Sequence, residues 1–228
     1  MKYGDNKIMP SFGRRKARKL REKTQRTYDE ILPLVQLTDP SLLFAGLPHD
    51  EIWLEIGFGG GEHMLEQLAR NPSIAMIGCE PFKNGVANFL NELPPPDYAR
   101  VRIWHEDVRY LFDAIPAAFF SRVFILFPDP WPKKRHRRRR LLSRAFVDVL
   151  GEKIKPGALL HVASDDVNYV EQIQEILYAH PLFKVCSGPP SADPKAWSSR
   201  PQDWPATRYE QKALTAGKKC AYMLFQRA

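Results

Sequence analysis

The sequence predicts a doubly wound, mostly parallel α/β sheet preceded by a basic N-terminal arm. Three observations carry this. From residue 51 onward, short apolar runs alternate with segments whose apolar residues recur at helical spacing. The turn after the first run is glycine-rich, Gly57-Phe58-Gly59-Gly60-Gly61, as a tight strand-to-helix turn requires. A length of 228 residues suits one large α/β domain with an extension better than two full domains. The expected division is an arm over 1–26 and a folded domain over 27–228.

The elements follow in order. A short helix is expected over about 24–36. Glu51–Ile56 reads as a strand and Glu62–Arg70 as a helix, with Met64, Leu65, Leu68 and Ala69 on one face. Ile74–Cys79 is a strand. Lys83–Leu93 is a helix, with Val86, Phe89, Leu90 and Leu93 at i, i+3, i+4, i+7, stopped by Pro94-Pro95-Pro96. Val101–Trp104 is a strand, Val108–Ile115 a helix and Arg122–Phe127 the fourth strand. Leu141–Lys153 is a helix with Leu141, Leu142, Ala145, Phe146, Val149 and Leu150 inward. Ala158–Ala163 is a strand, Asp166–His180 a helix and Phe183–Cys186 a strand. A loop rich in Pro, Ser and Trp spans 187–207, and Lys219–Gln226 ends the chain as a strand.

The charge is unevenly spread. Of a net +8, the first 30 residues carry +6 and residues 133–144 carry +8, which leaves the rest of the chain at −6. An acidic body with two basic segments is a pattern for binding a polyanion, and salt weakens such binding. Cys79, Cys186 and Cys220 are odd in number and widely spaced, which disfavours a disulfide framework or zinc site. No apolar run approaches 18 residues, and the first residues are too charged for a signal peptide. A soluble, cytoplasmic protein with no metal and no membrane partner is expected.

In this architecture ligands sit at the carboxyl ends of the strands. The first strand ends in Glu55-Ile56-Gly57-Phe58-Gly59-Gly60-Gly61. The dinucleotide fingerprint G-x-G-x-x-G would need its third glycine at 62, where Glu62 stands. The spacing acid-x-Gly-x-Gly-x-Gly instead resembles motif I of the class I S-adenosylmethionine-dependent methyltransferases. That cofactor carries a cationic amino group and a sulfonium, which an acid at 55 suits. Glu80 ends the second strand, where a carboxylate can accept ribose hydroxyls. Asp107 follows the third strand; it either contacts the adenine amino group, as an acid there does in that fold, or caps the helix from Val108.

The fourth strand leads into Phe127-Pro128-Asp129-Pro130-Trp131-Pro132-Lys133-Lys134-Arg135-His136-Arg137-Arg138-Arg139-Arg140. With Leu54-Glu55-Ile56-Gly57-Phe58-Gly59 upstream, this resembles the bacterial tRNA (guanine-N7)-methyltransferase family. Ser11-Phe12-Gly13-Arg14-Arg15 is similar to that family's arm, Ala163-Ser164-Asp165 to its Ala-Thr-Asp, and Thr207-Arg208-Tyr209-Glu210 to its Thr-Lys/Arg-Phe/Tyr-Glu. The resemblance spans nearly the whole chain. It implies a Rossmann-like class I methyltransferase fold and transfer of a methyl group from S-adenosylmethionine to guanine N7 in tRNA, with S-adenosylhomocysteine as product. The family's target is guanine 46 of the variable loop. By the resemblance, Glu55, Gly57, Gly59, Gly61, Glu80, Asp107 and Asp129 line the cofactor site, with Asp129 also catalytic. Lys133, Asp165, Thr207, Arg208, Tyr209 and Glu210 contact substrate. Arg135, His136, Arg137, Arg138, Arg139 and Arg140 contact RNA. Ser164 stands where Thr is usual, Cys79 where Ile is common and Arg138 where Lys is frequent.

Guanine N7 carries an in-plane lone pair and no proton, so its methylation needs no general base. Asp129 is therefore expected to position the base and stabilise developing positive charge, rather than take a proton. Thr207 and Glu210 are expected at the guanine edge, since a carboxylate accepts from N1–H and N2–H₂. Lys133 faces either the base or a phosphate. Trp131 packs against a turned-out base or buttresses its loop; Trp197 and Trp204 are open to the same two readings. The rival functions are a methyltransferase of another RNA, a non-catalytic RNA binder on this fold, and a nicotinamide-dependent oxidoreductase. The sequence does not give the oligomeric state.

Overall fold

The computed structural model describes residues 13, 15, 19–39, 47 and 51–228. Most of the expected arm, including Ser11, Phe12 and Arg14 of its motif, lies outside the described residues. The chain divides into two compact units, Met1–Pro116 and Ala117–Ala228.

In the first unit, helix α1 (Glu22–Val35) is followed by β1 (Ile52–Ile56), α2 (Glu62–Arg70), β2 (Ala75–Cys79), α3 (Lys83–Glu92) and β3 (Val101–Trp104). The three strands are parallel, in the order β3-β2-β1. The ladder pairs Ile56 with Cys79 and Cys79 with Trp104, so all three strands end level. The residues that follow them emerge on one rim. β1 and β2 are buried along their whole length, as expected of parallel strands covered on both faces. Leu54, Met64, Leu68, Met76, Ile77, Phe89 and Leu90 form the centre of this core. Beyond α1 the chain runs alongside the edge strand, where Leu37 donates its backbone N–H to the Ile103 carbonyl at 2.9 Å.

The second unit contains β4 (Phe120–Leu126), α4 (Arg144–Lys153), β5 (Ile154–Ser164), α5 (Val167–Leu177), β6 (Phe183–Ser187), α6 (Arg208–Thr215) and β7 (Ala221–Arg227). β4 and β5 are parallel, whereas β7 is antiparallel to both β5 and β6. The full strand order is β3-β2-β1-β4-β5-β7-β6, the mixed, mostly parallel sheet expected. Phe120, Phe124, Val147, Leu150, Tyr169, Ile173 and Phe225 centre the second core.

Several expectations are corrected. No α-helix forms over 108–115; Val108–Tyr110 is a single 3-10 turn. Val108, Leu111, Phe112 and Ile115 are all buried as the spacing demands, but Leu111, Ala114 and Ile115 donate to the carbonyls three residues back. Linked i→i−3 turns thus satisfy the apolar pattern without an α-helix. Helix α4 starts at Arg144 rather than Leu141, because Ser143 caps it by accepting the Phe146 N–H at 3.3 Å. Its inward face is Phe146, Val147, Leu150 and Gly151; Ala145 is exposed. Helix α6, in a stretch without an assignment, is a further element.

Candidate cofactor and RNA sites

The first unit places Glu55, Gly57, Gly59, Gly61, Glu80 and Asp107 along the common rim of β1, β2 and β3. Gly57, Gly59 and Gly61 have φ of +77°, +57° and +79°, a region that side chains rarely occupy. A Cβ on Gly61 would lie 2.2 Å from the Phe89 ring, whereas one on Gly57 would meet nothing within 4 Å. The loop is thus closed against α3 at one end and open at the other. Glu80 anchors it: one carboxylate oxygen accepts the Gly59 N–H at 2.8 Å and the other the Phe82 N–H at 2.9 Å.

Asp107 caps the 3-10 turn by accepting the Arg109 N–H at 2.9 Å, so the capping role is realised. Its two oxygens also take the Arg109 guanidinium at 2.8 and 2.6 Å. The charges of this rim are felt nearby. Burial first, and then Asp107 and Glu80, push the Cys79 thiol well above its ordinary pKa. Glu55 is buried at the end of β1 and accepts from His63 Nδ1 at 2.8 Å. His63, which was not among the expected site residues, lies on the buried face of α2.

The described part of the N-terminal segment also reaches this rim. Arg15 donates to both oxygens of Glu106 at 3.0 and 2.6 Å. Tyr28 meets His105 Nδ1 at 3.0 Å, and the Lys83 ammonium sits 4.6 Å from the Tyr28 ring centre.

In the second unit, β4 delivers Asp129 on a loop bounded by two strained residues. Phe127 and Trp131 have φ of +53° and +43°, which non-glycine residues tolerate only when surrounding contacts enforce them. Those contacts are present. Phe127 donates its N–H to the Ala163 carbonyl at 2.8 Å, and Arg140 Nε donates to the Pro130 carbonyl at 2.7 Å. Asp129 itself is exposed, yet partial desolvation by the surrounding loop raises its carboxyl above the usual value of 3.8.

The basic run coils into a 3-10 segment, Lys134–Arg139, with Lys133 at its start. Lys133, Lys134, Arg135, Arg137 and Arg138 are exposed. Slight desolvation, then the cations Arg139, Arg135, Lys133 and Arg138, lower the His136 imidazole below its ordinary pKa, as a strongly positive surface requires. The Arg139 guanidinium stacks 4.9 Å from the Trp131 ring centre, and His136 meets that ring edge-on. Arg140 departs from the rest of the run: it is 2% exposed and turned inward.

Asp165 follows β5 and accepts from Lys218 Nζ at 2.6 Å. Thr207 and Glu210 form a capping box at the start of α6. Glu210 is buried, and its oxygens also accept from Arg200 at 2.9 Å and the Tyr222 hydroxyl at 2.7 Å. Arg208 and Tyr209, between them, are exposed. Trp197 and Trp204 are buried: Trp197 donates to the Ser191 carbonyl at 3.2 Å, and Trp204 packs between His161 and Tyr222. They buttress the late loop.

Residues 49–223 match a family model described as "Putative methyltransferase". A tRNA (guanine-N(7)-)-methyltransferase of Rhodospirillum rubrum is 43% identical over 95% of this chain and 87% of its own length. One from Paramagnetospirillum magneticum is 42% identical over 95% and 92%. This chain belongs to the tRNA (guanine-N7)-methyltransferase family. In fold it is similar to the antibiotic-resistance methyltransferase Kmr, with a TM-score of 0.54 at 12% identity, over 84% of this chain and 95% of that one. Membership of the methyltransferase family gives the glycine loop and its three acids a common context. It does not by itself account for the buried His63, the Arg109 bridge to Asp107 or the Tyr222 hydroxyl on Glu210. Among the described residues, no cluster of His, Cys, Asp and Glu is arranged to hold a metal ion, and no helix is long and apolar enough to cross a membrane.

Proposed function

We propose that the chain transfers the methyl group of S-adenosylmethionine to N7 of a guanine in tRNA, acting on guanine 46 of the variable loop. The observation that carries this reading is the loop at Asp129: an exposed carboxylate held between two strained residues, directly followed by a solvent-facing basic run, in a chain 43% identical to a tRNA (guanine-N(7)-)-methyltransferase.

The first unit fits the cofactor. Its rim offers a glycine loop with open space at Gly57 and the buried carboxylates of Glu55, Glu80 and Asp107. S-adenosylmethionine supplies an electrophilic methyl group on a sulfonium. Glu55 holds its cationic amino end, Glu80 the ribose hydroxyls and Asp107 the adenine side, while Gly57, Gly59 and Gly61 let the backbone approach closely.

Asp129 orients the guanine and opposes the positive charge that the ring acquires as N7 is alkylated. No proton has to move, because N7 carries none. Rigid presentation is the larger contribution, because alignment of N7 with the methyl carbon governs the barrier. Lys133, Arg135, His136, Arg137, Arg138 and Arg139 hold tRNA phosphates, joined by the arm, residues 1–26. Trp131, stacked under Arg139, keeps that surface beside Asp129. Arg208 and Tyr209 face the substrate from the first turn of α6, and Asp165 does so from the end of β5. The protein acts in the cytoplasm.

The deciding experiment is methyl transfer from labelled S-adenosylmethionine to unmodified tRNA transcripts, with the product nucleoside identified by mass spectrometry. N7-methylguanosine confined to the variable loop is expected. A different methylated nucleoside, or methylation elsewhere in the tRNA, would overturn the substrate assignment.

A further inference from the structure

Helix α2 buries two polar side chains, His63 and Gln67, one turn apart on its core-facing side. Polar groups in such a place are costly unless hydrogen-bonded, and these two form a directed chain. Asn71 Nδ2 donates to the Gln67 main-chain carbonyl at 2.9 Å and to Gln67 Oε1 at 3.2 Å. With Oε1 engaged as an acceptor, the end of Gln67 that meets His63 Nε2, at 3.2 Å, is the amide nitrogen, a donor. Nε2 of His63 therefore accepts. The ring proton sits on Nδ1 and is donated to Glu55 Oε2 at 2.8 Å. Every donor in the series Asn71, Gln67, His63 points toward the Glu55 carboxylate.

We infer that His63 is a positioning residue for the cofactor, fixing the Glu55 carboxylate so that its other oxygen is presented to the cationic amino group. Among the described residues no protein donor reaches Oε1 of Glu55, while Oε2 is held by His63. A carboxylate at a strand end has a free torsion to each side. One fixed donor on one oxygen selects a single orientation before ligand arrives, in the way that outer partners orient metal ligands and catalytic histidines. Gln67 and Asn71 hold the imidazole in the Nδ1–H tautomer that this requires. The inference rests on the reading of Glu55 as the acid that faces the amino group.

The test uses the full-length protein and S-adenosylhomocysteine, with affinity measured by calorimetry. His63→Leu removes the donor. His63→Asn restores one, since its amide nitrogen falls near the place of Nδ1. His63→Leu should weaken binding about tenfold to a hundredfold, as loss of one hydrogen bond to a charged group does. His63→Asn should stay within about threefold of the parent. In turnover the loss should appear in KM for S-adenosylmethionine and not in KM for tRNA. Nitrogen NMR of the unliganded parent should show His63 as the Nδ1–H tautomer. An Nε2–H tautomer, or equal affinities for the Leu and Asn variants, would overturn the inference even if His63→Leu proved too unstable to assay. Glu55→Gln separates the two levels. Reduced affinity there with no effect at His63 removes only the positioning role, whereas unchanged affinity in Glu55→Gln removes the reading of Glu55 and this inference with it.

Discussion

Arg140 donates its Nε hydrogen to the carbonyl of Pro130 at 2.7 Å, so the last arginine of the basic run holds the far end of the Asp129 loop. Its Nη1 donates to the Asn168 carbonyl at 3.0 Å and to Gln172 Oε1 at 2.8 Å, and its guanidinium lies 4.7 Å from the Tyr169 ring centre. The loop is thereby tied to α5. Arg140 and Arg138 consequently should fail in different ways. Arg140→Ala removes three hydrogen bonds to part-buried acceptors, at roughly 1–3 kcal/mol of stability, and frees the Asp129 loop. Its kcat should fall while the salt dependence of tRNA binding stays unchanged. Arg138→Ala should leave stability within about 0.5 kcal/mol and lower the slope of log affinity against log salt by about one phosphate contact. Urea titration and binding at several salt concentrations read both effects. A reduced salt slope in Arg140→Ala would return that residue to the RNA surface.

Asp129→Asn should cut kcat sharply and leave the fold intact. The pH dependence has a fixed sign. Desolvation raises the Asp129 carboxyl above 3.8, so its charged form is disfavoured in the folded state. The linked stability is present below 3.8 and lost as pH rises through the higher folded-state value. Removing the charge should therefore raise Tm slightly at neutral pH, and the difference should fade in acid. The parent's kcat/KM should rise with pH along an acid limb displaced upward from 3.8. A Tm that drops in Asp129→Asn, or a kcat near that of the parent, would contradict this account.

Gly57 and Gly61 share a positive φ but not their surroundings, which sets up a paired test. Gly57→Ala meets open space, so it should cost only the backbone strain, about 1–3 kcal/mol. Gly61→Ala adds a collision with the Phe89 side chain at 2.2 Å, within a core whose overpacking costs about another 1–3 kcal/mol. Stability measured in urea should rank parent, Gly57→Ala, Gly61→Ala in descending order. Affinity for S-adenosylhomocysteine should suffer in Gly57→Ala despite its milder instability, because the added methyl fills the open side of the loop.

The parallel sheet was legible because fully apolar strands and helical periodicity are one-dimensional signals. Glu55, Glu80 and Asp107 were legible because they stand at predictable strand ends. Other features depend on direction rather than on residue type. Nothing in a row of arginines marks Arg140 as the one that turns inward. A polar His63 at a helix position flanked by Met64 and Leu68 counts against burial until Glu55 and Gln67 are seen beside it. Thr207-Arg208-Tyr209-Glu210 is a capping-box pattern, and that signal alone would have found α6. The same residues resemble the family's substrate-contacting segment, and the cap is their simpler role.

That simpler role leads to a separable prediction. Thr207 Oγ1 accepts the Glu210 N–H at 3.0 Å, and Glu210 Oε2 accepts the Thr207 N–H at 3.4 Å. With Arg200 and Tyr222 also on Glu210, the pair spends its polar atoms on the start of α6. Direct contact with guanine would require Glu210 to give up those donors. We therefore expect the segment to act through its exposed members, Arg208 and Tyr209, whose placement the box fixes. Thr207→Ala should cost about 0.5–2 kcal/mol and raise KM for tRNA without changing affinity for S-adenosylhomocysteine. Thr207→Ser keeps the hydroxyl and should restore both stability and KM together. Arg208→Ala should raise the tRNA KM with no loss of stability. If Thr207→Ser restores stability but not KM, the threonine itself touches the substrate and the positional account fails.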